Sequence, residues 1–127
     1  MKKLLFVFLL APFFLLAQEK STAEVTEVSI CTAVEDRVPV GVDTSFTSDV
    51  ERVYCYTKIT GAAADSSVTH VWYHGDKEMA RQKLSVKANA WRTWSSKRIV
   101  DSWTGAWRVD ILSASGTVLK SKAFTVK

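Results

Sequence analysis

The chain has 127 residues, and about 110 of them remain once a predicted N-terminal signal peptide is removed. That length fits one domain with one hydrophobic core, so we expect no second domain. With 17 basic and 13 acidic side chains, the formal net charge is only +4, and bulk charge therefore singles out no class of partner.

The N-terminal stretch MKKLLFVFLLAPFFLLAQEK is typical of a secretory signal peptide. Lys2 and Lys3 form its positive end, an apolar run extends from Leu4 to Ala17, and polar residues begin at Gln18. The run is shorter than the roughly 20 residues needed to span a bilayer, so a retained membrane anchor is only the alternative. We predict a signal peptide at residues 1–17 and export of the protein to the periplasm or the cell exterior.

The rest of the chain is predicted to form short strands, because β-branched and aromatic residues recur between turn signals. Residues 18–27 predict a flexible lead-in, followed by a single domain at residues 28–127. The predicted strands are Val28 to Val34, Arg52 to Ile59, Ser67 to His74, Glu78 to Val86, Arg92 to Ile99, Ala106 to Leu112 and Val118 to Val126. About seven antiparallel strands indicate an all-β fold, a small immunoglobulin-like β-sandwich.

Turn residues support this division into strands. Gly75 in YHGDKE and Gly116 in SASGTV lie where hairpins would turn. Pro39 and Gly41 mark DRVPVGVDTSF as an edge or a crossover rather than a central strand. Only DKEMARQKL competes as a helix, because most of its residues are good helix formers, and the alternation of its apolar residues favours a strand.

Charge is distributed unevenly along the chain. Residues 18–76 carry 4 basic and 10 acidic side chains, whereas residues 77–127 carry 11 basic and 3 acidic ones. Clustering of the basic set would create a positive face that attracts carboxylate- or phosphate-rich partners. The alternative is that acidic and basic strands lie side by side and neutralise each other.

Two cysteines, Cys31 and Cys55, are present in a chain predicted to be exported. An even count in an oxidising compartment favours a disulfide, and only one pairing exists. In the chain-entropy model this bridge would stabilise the domain by roughly 3 to 4 kcal/mol. Neither a CxxC spacing nor a second pair points to redox chemistry or to a metal site.

Four of the five tryptophans lie in the stretch WRTWSSKRIVDSWTGAWRVD. Strand alternation aligns Trp107 with apolar neighbours two residues away, which predicts that Trp107 points into the core. Trp91 and Trp94 are an odd number of residues apart, so on one regular strand they point to opposite faces. Trp103 precedes a predicted connection and would either cap one end of the sandwich or stand exposed.

The same alternation places Arg92, Trp94, Ser96 and Arg98 on one strand face. An indole ring can stack on the apolar face of a sugar, and neighbouring cations can bind hydroxyls or carboxylates. The predicted binding residues are Arg92, Trp94, Lys97, Arg98 and Trp103. The alternative is that the tryptophans are mainly core residues, since a domain of this size needs large buried side chains.

His70 and His74 would share one strand face with Trp72. Two residues four apart on a strand are about 13 Å apart, too far for both imidazoles to bind one metal ion. We therefore predict no metal site and no cofactor. His70 is expected to form a hydrogen bond within the sheet, and His74 to be exposed at a turn.

No arrangement of residues in the sequence indicates catalysis. Ser95 and Ser96 are not enclosed in a G-x-S-x-G elbow. Glu35 and Asp36 beside Arg37 favour a local ion pair or a turn over a pair of glycosidase carboxylates. We predict that the protein is not an enzyme, and export argues against nucleic acid as a partner.

The stretches CTAVEDRVPVG, RVYCYTKI, VTHVWYHGDKE, WRTWSSKRI and WTGAWRVDIL resemble a bacterial family, the domain of unknown function family 2914. The resemblance extends from about Ile30 to Val126, and its most specific parts are THVWY, WRTWSSK and WTGAW. It implies a compact β-rich domain in exported or membrane-attached bacterial proteins. It implies no activity, because none is assigned to the family.

These observations predict a non-catalytic binding module of the bacterial cell envelope. A protein partner is the first expectation, because open strand edges pair readily and the chain carries separated charges. A surface polysaccharide bound by the Arg/Trp stripe is the second, and a purely structural domain is the third. An exposed, concave stripe would favour the polysaccharide. The membrane is a partner only if the N-terminal segment is retained, and the sequence does not specify an oligomeric state.

Overall fold

The computed structural model describes residues 22–127, and the predicted signal peptide lies outside them. Within this range there are ten strands and no helix. The strands are β1 (Glu24–Cys31), β2 (Ala33–Glu35), β3 (Val38–Val40), β4 (Ser45–Phe46), β5 (Arg52–Thr60), β6 (Ser66–His74), β7 (Lys77–Val86), β8 (Trp91–Arg98), β9 (Gly105–Leu112) and β10 (Val118–Val126). Consequently, no helix in the described part of the chain is long and apolar enough to cross a membrane.

The strands form two main sheets and one small hairpin. One sheet has three strands in the order β1-β5-β8, and the other has five in the order β4-β10-β9-β6-β7. All neighbours are antiparallel except β4 and β10, which run parallel. The hairpin of β2 and β3 forms a separate two-stranded sheet. β8 is therefore an outermost strand of the three-stranded sheet.

The hydrophobic core is built by apolar residues from both main sheets. Val53 and Ile59 of β5 belong to the same buried cluster as Trp72 of β6 and Trp107 of β9. Trp107 is 2% exposed, which confirms the prediction that it points inward. Strand alternation then leaves one side of each sheet facing the core and the other facing outward. The arrangement is all-β and consistent with a β-sandwich.

The predicted strands all correspond to long strands of the structure, including β7 in the segment with good helix formers. That segment is held as a strand by pairing with β6 along its whole length. The structure adds three short strands, β2 to β4, whose two or three residues are too few to show a periodic pattern. β1 begins at Glu24 and ends at Cys31, so it starts four residues before the first predicted strand starts and ends three residues before that strand ends.

The turns follow the residues that predicted them. Gly75 and Gly116 adopt positive φ angles of 60° and 93° between neighbouring strands. The hairpin of β2 and β3 turns at Asp36 and Arg37, whose φ angles of 52° and 62° are those of a type I′ turn. The stretch around Pro39 is an edge, as expected, because β3 pairs only with β2.

The predicted disulfide between Cys31 and Cys55 is absent, since both residues are buried free thiols. In the register of β1 and β5, Cys31 is opposite Tyr54 whereas Cys55 is opposite Ile30. Residues opposite each other share a face, and consecutive residues lie on opposite faces. The two thiols therefore point to different sides of the sheet, a fact that the cysteine count could not reveal.

Candidate binding face on the three-stranded sheet

The strands β5 and β8 divide their side chains between two sides of the sheet. Val53 and Ile59 belong to the buried core, so the residues that alternate with them point outward. On this outer side β5 pairs with β8 in four rows. We call these eight residues the basic face: Arg52–Arg98, Tyr54–Ser96, Tyr56–Trp94 and Lys58–Arg92.

The basic face places like charges directly opposite each other at both ends. Arg52 is paired with Arg98, and Lys58 is paired with Arg92. Like charges at directly opposed positions destabilise an antiparallel sheet. β5 contains no carboxylate, so the alternative that acidic and basic strands neutralise each other does not hold for this pair. The basic face is therefore suited to attract an anionic partner.

Few carboxylates neutralise these cations. Within residues 22–127 the ion pairs join Lys58 to Glu27 at 3.5 Å, Arg81 to Glu78 and Arg108 to Asp110. In that part of the chain, none of the arginines of the basic face forms an ion pair. Arg52 Nη1 instead donates a hydrogen bond to Ser96 Oγ at 2.8 Å. The guanidinium charges thus remain available to a ligand.

The middle of the basic face is aromatic and partly covered. The rings of Trp94 and Tyr56 are stacked, with centroids 6.3 Å apart and planes inclined by 20°. The β2–β3 hairpin reaches this point, because the carbonyl of Arg37 accepts hydrogen bonds from Tyr56 Oη at 2.9 Å and from Arg92 Nη1 at 3.1 Å. Trp94 consequently remains half-buried while Arg92 is exposed.

Two cavities adjoin the hairpin turn. The larger, the tip cavity, has a volume of about 530 Å³, and its lining includes Thr26, Arg37, Lys58, Ile59, Trp91 and Arg92. The smaller, the strand cavity, has about 230 Å³, and Arg37, Trp91 and Arg92 line it as well. The tip cavity lies within the size range of small-molecule sites and combines cations with apolar walls. The surface around Arg92 is therefore concave.

The structure places three of the five predicted binding residues together and two elsewhere. Arg92, Trp94 and Arg98 lie on the basic face. Lys97 is opposite Val53 on the inner side, and its Nζ is 5.1 Å from the centre of the Trp103 ring. The binding role of all five stays a prediction, and Lys97 and Trp103 form a separate cation–π contact.

Trp103 is half-buried beside the core rather than on the basic face. Its ring centroid is 6.3 Å from that of Trp107, and its carbonyl accepts a hydrogen bond from Trp107 Nε1 at 2.9 Å. Trp91 also packs against the core. Trp91 and Trp94 point to opposite sides of β8, as their odd spacing predicted.

The inner side of β8 carries a buried network of hydrogen bonds. Ser95 Oγ accepts from Trp72 Nε1 at 3.1 Å and lies 2.6 Å from His70 Nδ1. His70 Nε2 is 3.4 Å from Thr57 Oγ1, which donates to the Thr93 carbonyl at 3.1 Å. Every group is satisfied if Ser95 donates to Nδ1 and His70 carries its proton on Nε2.

His70 is held neutral by this environment. Burial lowers its pKa from 6.5 to about 4, because the imidazolium would lose its hydration. The contact between Ser95 and His70 has the length expected of a nucleophile and its base, but the two side chains are 2% and 0% exposed. A substrate cannot reach them, so this pair serves the fold. His70 is hydrogen-bonded, as predicted, but its partners Ser95 and Thr57 belong to the opposite sheet, so the expectation of a bond within its own sheet is wrong.

Three residues of the site, Arg37, Arg52 and Lys58, were not predicted from the sequence. Arg52 and Lys58 lie on the same face because they are six residues apart on one strand, and that signal was present in RVYCYTK. No sequence pattern around Arg37 indicated a place in the site, because its position beside β8 depends on how the β2–β3 hairpin folds back. Among the described residues, no group of three or more His, Cys, Asp or Glu side chains could hold a metal ion.

Comparisons with known proteins match one segment of the chain to a family model. Residues 65–126 match the model of a family described as "Protein of unknown function (DUF2914)", which confirms the resemblance over this segment. No curated protein matches the chain significantly.

Among solved structures, the chain is similar to a mutant β-glucosidase from Listeria innocua in complex with laminaribiose, with 11% identity and a TM-score of 0.42 over 91% of this chain. It is also similar to the extracellular domain of a one-component system from B. thetaiotaomicron, with 13% identity and a TM-score of 0.39 over 87% of this chain. The chain spans only 18% and 16% of those two proteins. Likenesses this distant support no functional argument.

Proposed function

We propose that the chain, whose residues 65–126 carry the sequence features of the DUF2914 family, is a non-catalytic binding module of the bacterial cell envelope. Its ligand would be an acidic polysaccharide that lies along the basic face. The observation that carries this proposal is the pair of like-charged rows, Arg52–Arg98 and Lys58–Arg92, around an aromatic centre. Such rows destabilise a sheet, and an anionic ligand would relieve their repulsion.

The shape of the basic face suits an extended polymer. From Arg92 to Arg98 the strand extends about 20 Å, at roughly 3.3 Å per residue. Cations at both ends can bind carboxylates of separate sugar units, and the indole of Trp94 lies between them. Exposed Arg92 and Arg98, together with the two cavities beside Arg92, support a polysaccharide as the ligand.

A protein partner is the second candidate, and the position of β8 favours it. β8 pairs only with β5, so its other edge has backbone groups available to an added strand. An acidic extended segment could add to this edge while its side chains met Arg92 and Arg98. Such a segment would depend on backbone pairing, whereas a polysaccharide would not.

We also propose that the fold is immunoglobulin-like and that the protein is exported. Six of the seven long strands support the fold, because β1, β5 and β8 form one sheet and β6, β9 and β10 share the other. β7 departs from the constant-type pattern, since it pairs with β6 instead of β8. The secretory features of residues 1–17 support export.

The test is direct binding of a polyuronate, with alginate as the acidic probe and dextran as the neutral one. We expect alginate to bind, with an affinity that falls as salt rises, and dextran not to bind. In the double variant Arg52→Gln/Arg98→Gln, the affinity for alginate should fall at least about tenfold, because two charge-assisted contacts are lost. Isothermal titration calorimetry measures the affinity of the parent protein at each salt concentration and the affinity of the double variant.

The matched control is Lys83→Gln/Lys120→Gln, which removes two charges from exposed lysines on β7 and β10. This control should bind alginate within about twofold of the parent protein. Equal losses in both double variants would mean that only net charge matters, and would contradict a site on the basic face. Failure of alginate combined with binding of an extended polyglutamate peptide would favour the protein partner.

A further inference from the structure

The tip cavity has features of a site for a single sugar unit. We propose that it binds one acidic sugar residue, with the anionic group between Arg37 and Arg92 and the ring against Trp91. This inference rests on the function proposed above and deepens it, because it assigns one unit of the polymer to a defined place. The basic face would then bind the units that follow.

The Arg92 side chain and the Arg37 backbone are held in position before any ligand arrives. The carbonyl of Arg37 accepts hydrogen bonds from Tyr56 at 2.9 Å and from Arg92 at 3.1 Å. These bonds attach the hairpin turn to β5 and to the Arg92 side chain of β8. Arg92 donates this bond from Nη1, so its Nε and Nη2 groups do not bind the Arg37 carbonyl. A planar guanidinium with free donors suits a carboxylate or a phosphate group.

Of the three cations that line the tip cavity, only one forms an ion pair with a described carboxylate. This cation, Lys58, forms an ion pair with Glu27 at 3.5 Å. Among residues 22–127, neither Arg37 nor Arg92 takes part in an ion pair. An entering anion would therefore meet two arginines that no described carboxylate neutralises, and the affinity should reside mainly in these two groups.

The remaining walls fit a sugar ring. Half-buried Trp91 and exposed Ala88 and Ala90 contribute apolar surface, and Thr26 and Thr60 belong to the same lining. A sugar has one apolar face that packs against an indole and several hydroxyls that bind polar side chains. The volume of about 530 Å³ has space for one such unit. A simple inorganic anion would leave the apolar wall uncovered.

The backbone of Arg37 supports a role for its side chain. Its φ of 62° lies in the left-handed region, where glycine is favoured and other residues are strained. Glycine at this position would relax the turn and would keep the carbonyl that binds Tyr56 and Arg92. The substitution Arg37→Gly thus removes the guanidinium without disturbing the hairpin, which makes it a precise test.

The experiment follows the indole N–H signals of the five tryptophans by NMR during titration with small probes. The acidic probes are methyl glucuronide and glucose 6-phosphate, which distinguish a carboxylate from a phosphate, and methyl glucoside is the neutral probe. We expect an acidic probe to shift the Trp91 signal in the parent protein and in the control variant Lys120→Gln, which removes an exposed charge outside the basic face. In Arg37→Gly the affinity for that probe should fall about tenfold or more.

The outcomes separate this inference from the proposed function. A Trp91 response to neither acidic probe, while alginate still binds, would overturn the sugar site and leave the basic face intact. Equal responses to acidic and neutral probes, or full affinity in Arg37→Gly, would also overturn it. A selective Trp91 response without alginate binding would support the cavity and contradict the proposed function.

Discussion

The two sides of the β5–β8 pair are built from alternate residues of the same strands, yet they differ in how their polar groups are paired. On the inner side, His70, Ser95 and Trp72 are buried and mutually hydrogen-bonded. On the outer side, Arg92 and Arg98 oppose other cations and form no ion pair with the described residues. A side that satisfies every polar group stabilises the fold, whereas a side with unmatched charges is suited to binding.

The largest expected effect concerns His70 and acid. Burial lowers the pKa of His70 to about 4 in the folded protein. As the pH falls, the unfolded chain therefore binds a proton near pH 6.5, whereas the folded protein binds it only near pH 4. The stability contributed by neutral His70 is complete above pH 6.5 and is lost as the pH falls toward 4. The total is about 3 kcal/mol. Denaturant unfolding of the parent protein across this range should show the loss.

His70→Gln is the variant that isolates this effect, and His74→Gln is its control. The parent and His74→Gln should lose stability in parallel on acidification, whereas His70→Gln should start lower and have a flatter profile. Identical slopes in all three proteins would mean that other groups govern the acid response and that the inner network is less important than its geometry indicates.

A smaller effect separates two adjacent serines. Ser95→Ala should destabilise the protein by about 2 kcal/mol, because Trp72 and His70 both lose a buried partner. Ser96→Ala removes one hydrogen bond to exposed Arg52 and should change stability by less than about 0.5 kcal/mol. Thermal or urea unfolding measures both. If the two variants lost equal stability, the contrast between the sides would be wrong.

The smallest expected effect is a gain in stability. Arg98→Glu replaces a like-charged pair with an opposite-charged one across from Arg52, which should stabilise the sheet by about 0.5 kcal/mol. The same change should abolish alginate binding under the proposed function. A more stable protein that no longer binds would show that repulsion on the basic face is maintained for its ligand. A less stable variant would contradict that view.

Local sequence patterns predicted the strands and the side to which most residues point. Alternation was enough to place Trp107 inside and Trp91 and Trp94 on opposite sides, because a strand repeats every two residues. It also placed Arg92 and Arg98 together. These features depend only on neighbours along the chain, so they need no knowledge of how strands pair.

Features that depend on pairing between strands could not be predicted. The predicted disulfide does not form, because the register of β1 and β5 places the two cysteines on opposite faces of the sheet. Arg37 entered the site because a hairpin with strands of three residues folds back over β5. The opposition of Arg52 to Arg98 likewise required the register of β5 and β8.

The attachment of the β2–β3 hairpin at both ends has a kinetic consequence. At its base, Thr32 donates to the carbonyl of Val40, and Gly41 has a φ of 72° at a place where a Cβ would clash with Thr32 Oγ1. At its tip, Tyr56 and Arg92 hold the Arg37 carbonyl. A ligand would thus meet a preformed wall, and association should be a single fast step, limited by diffusion and accelerated by low salt.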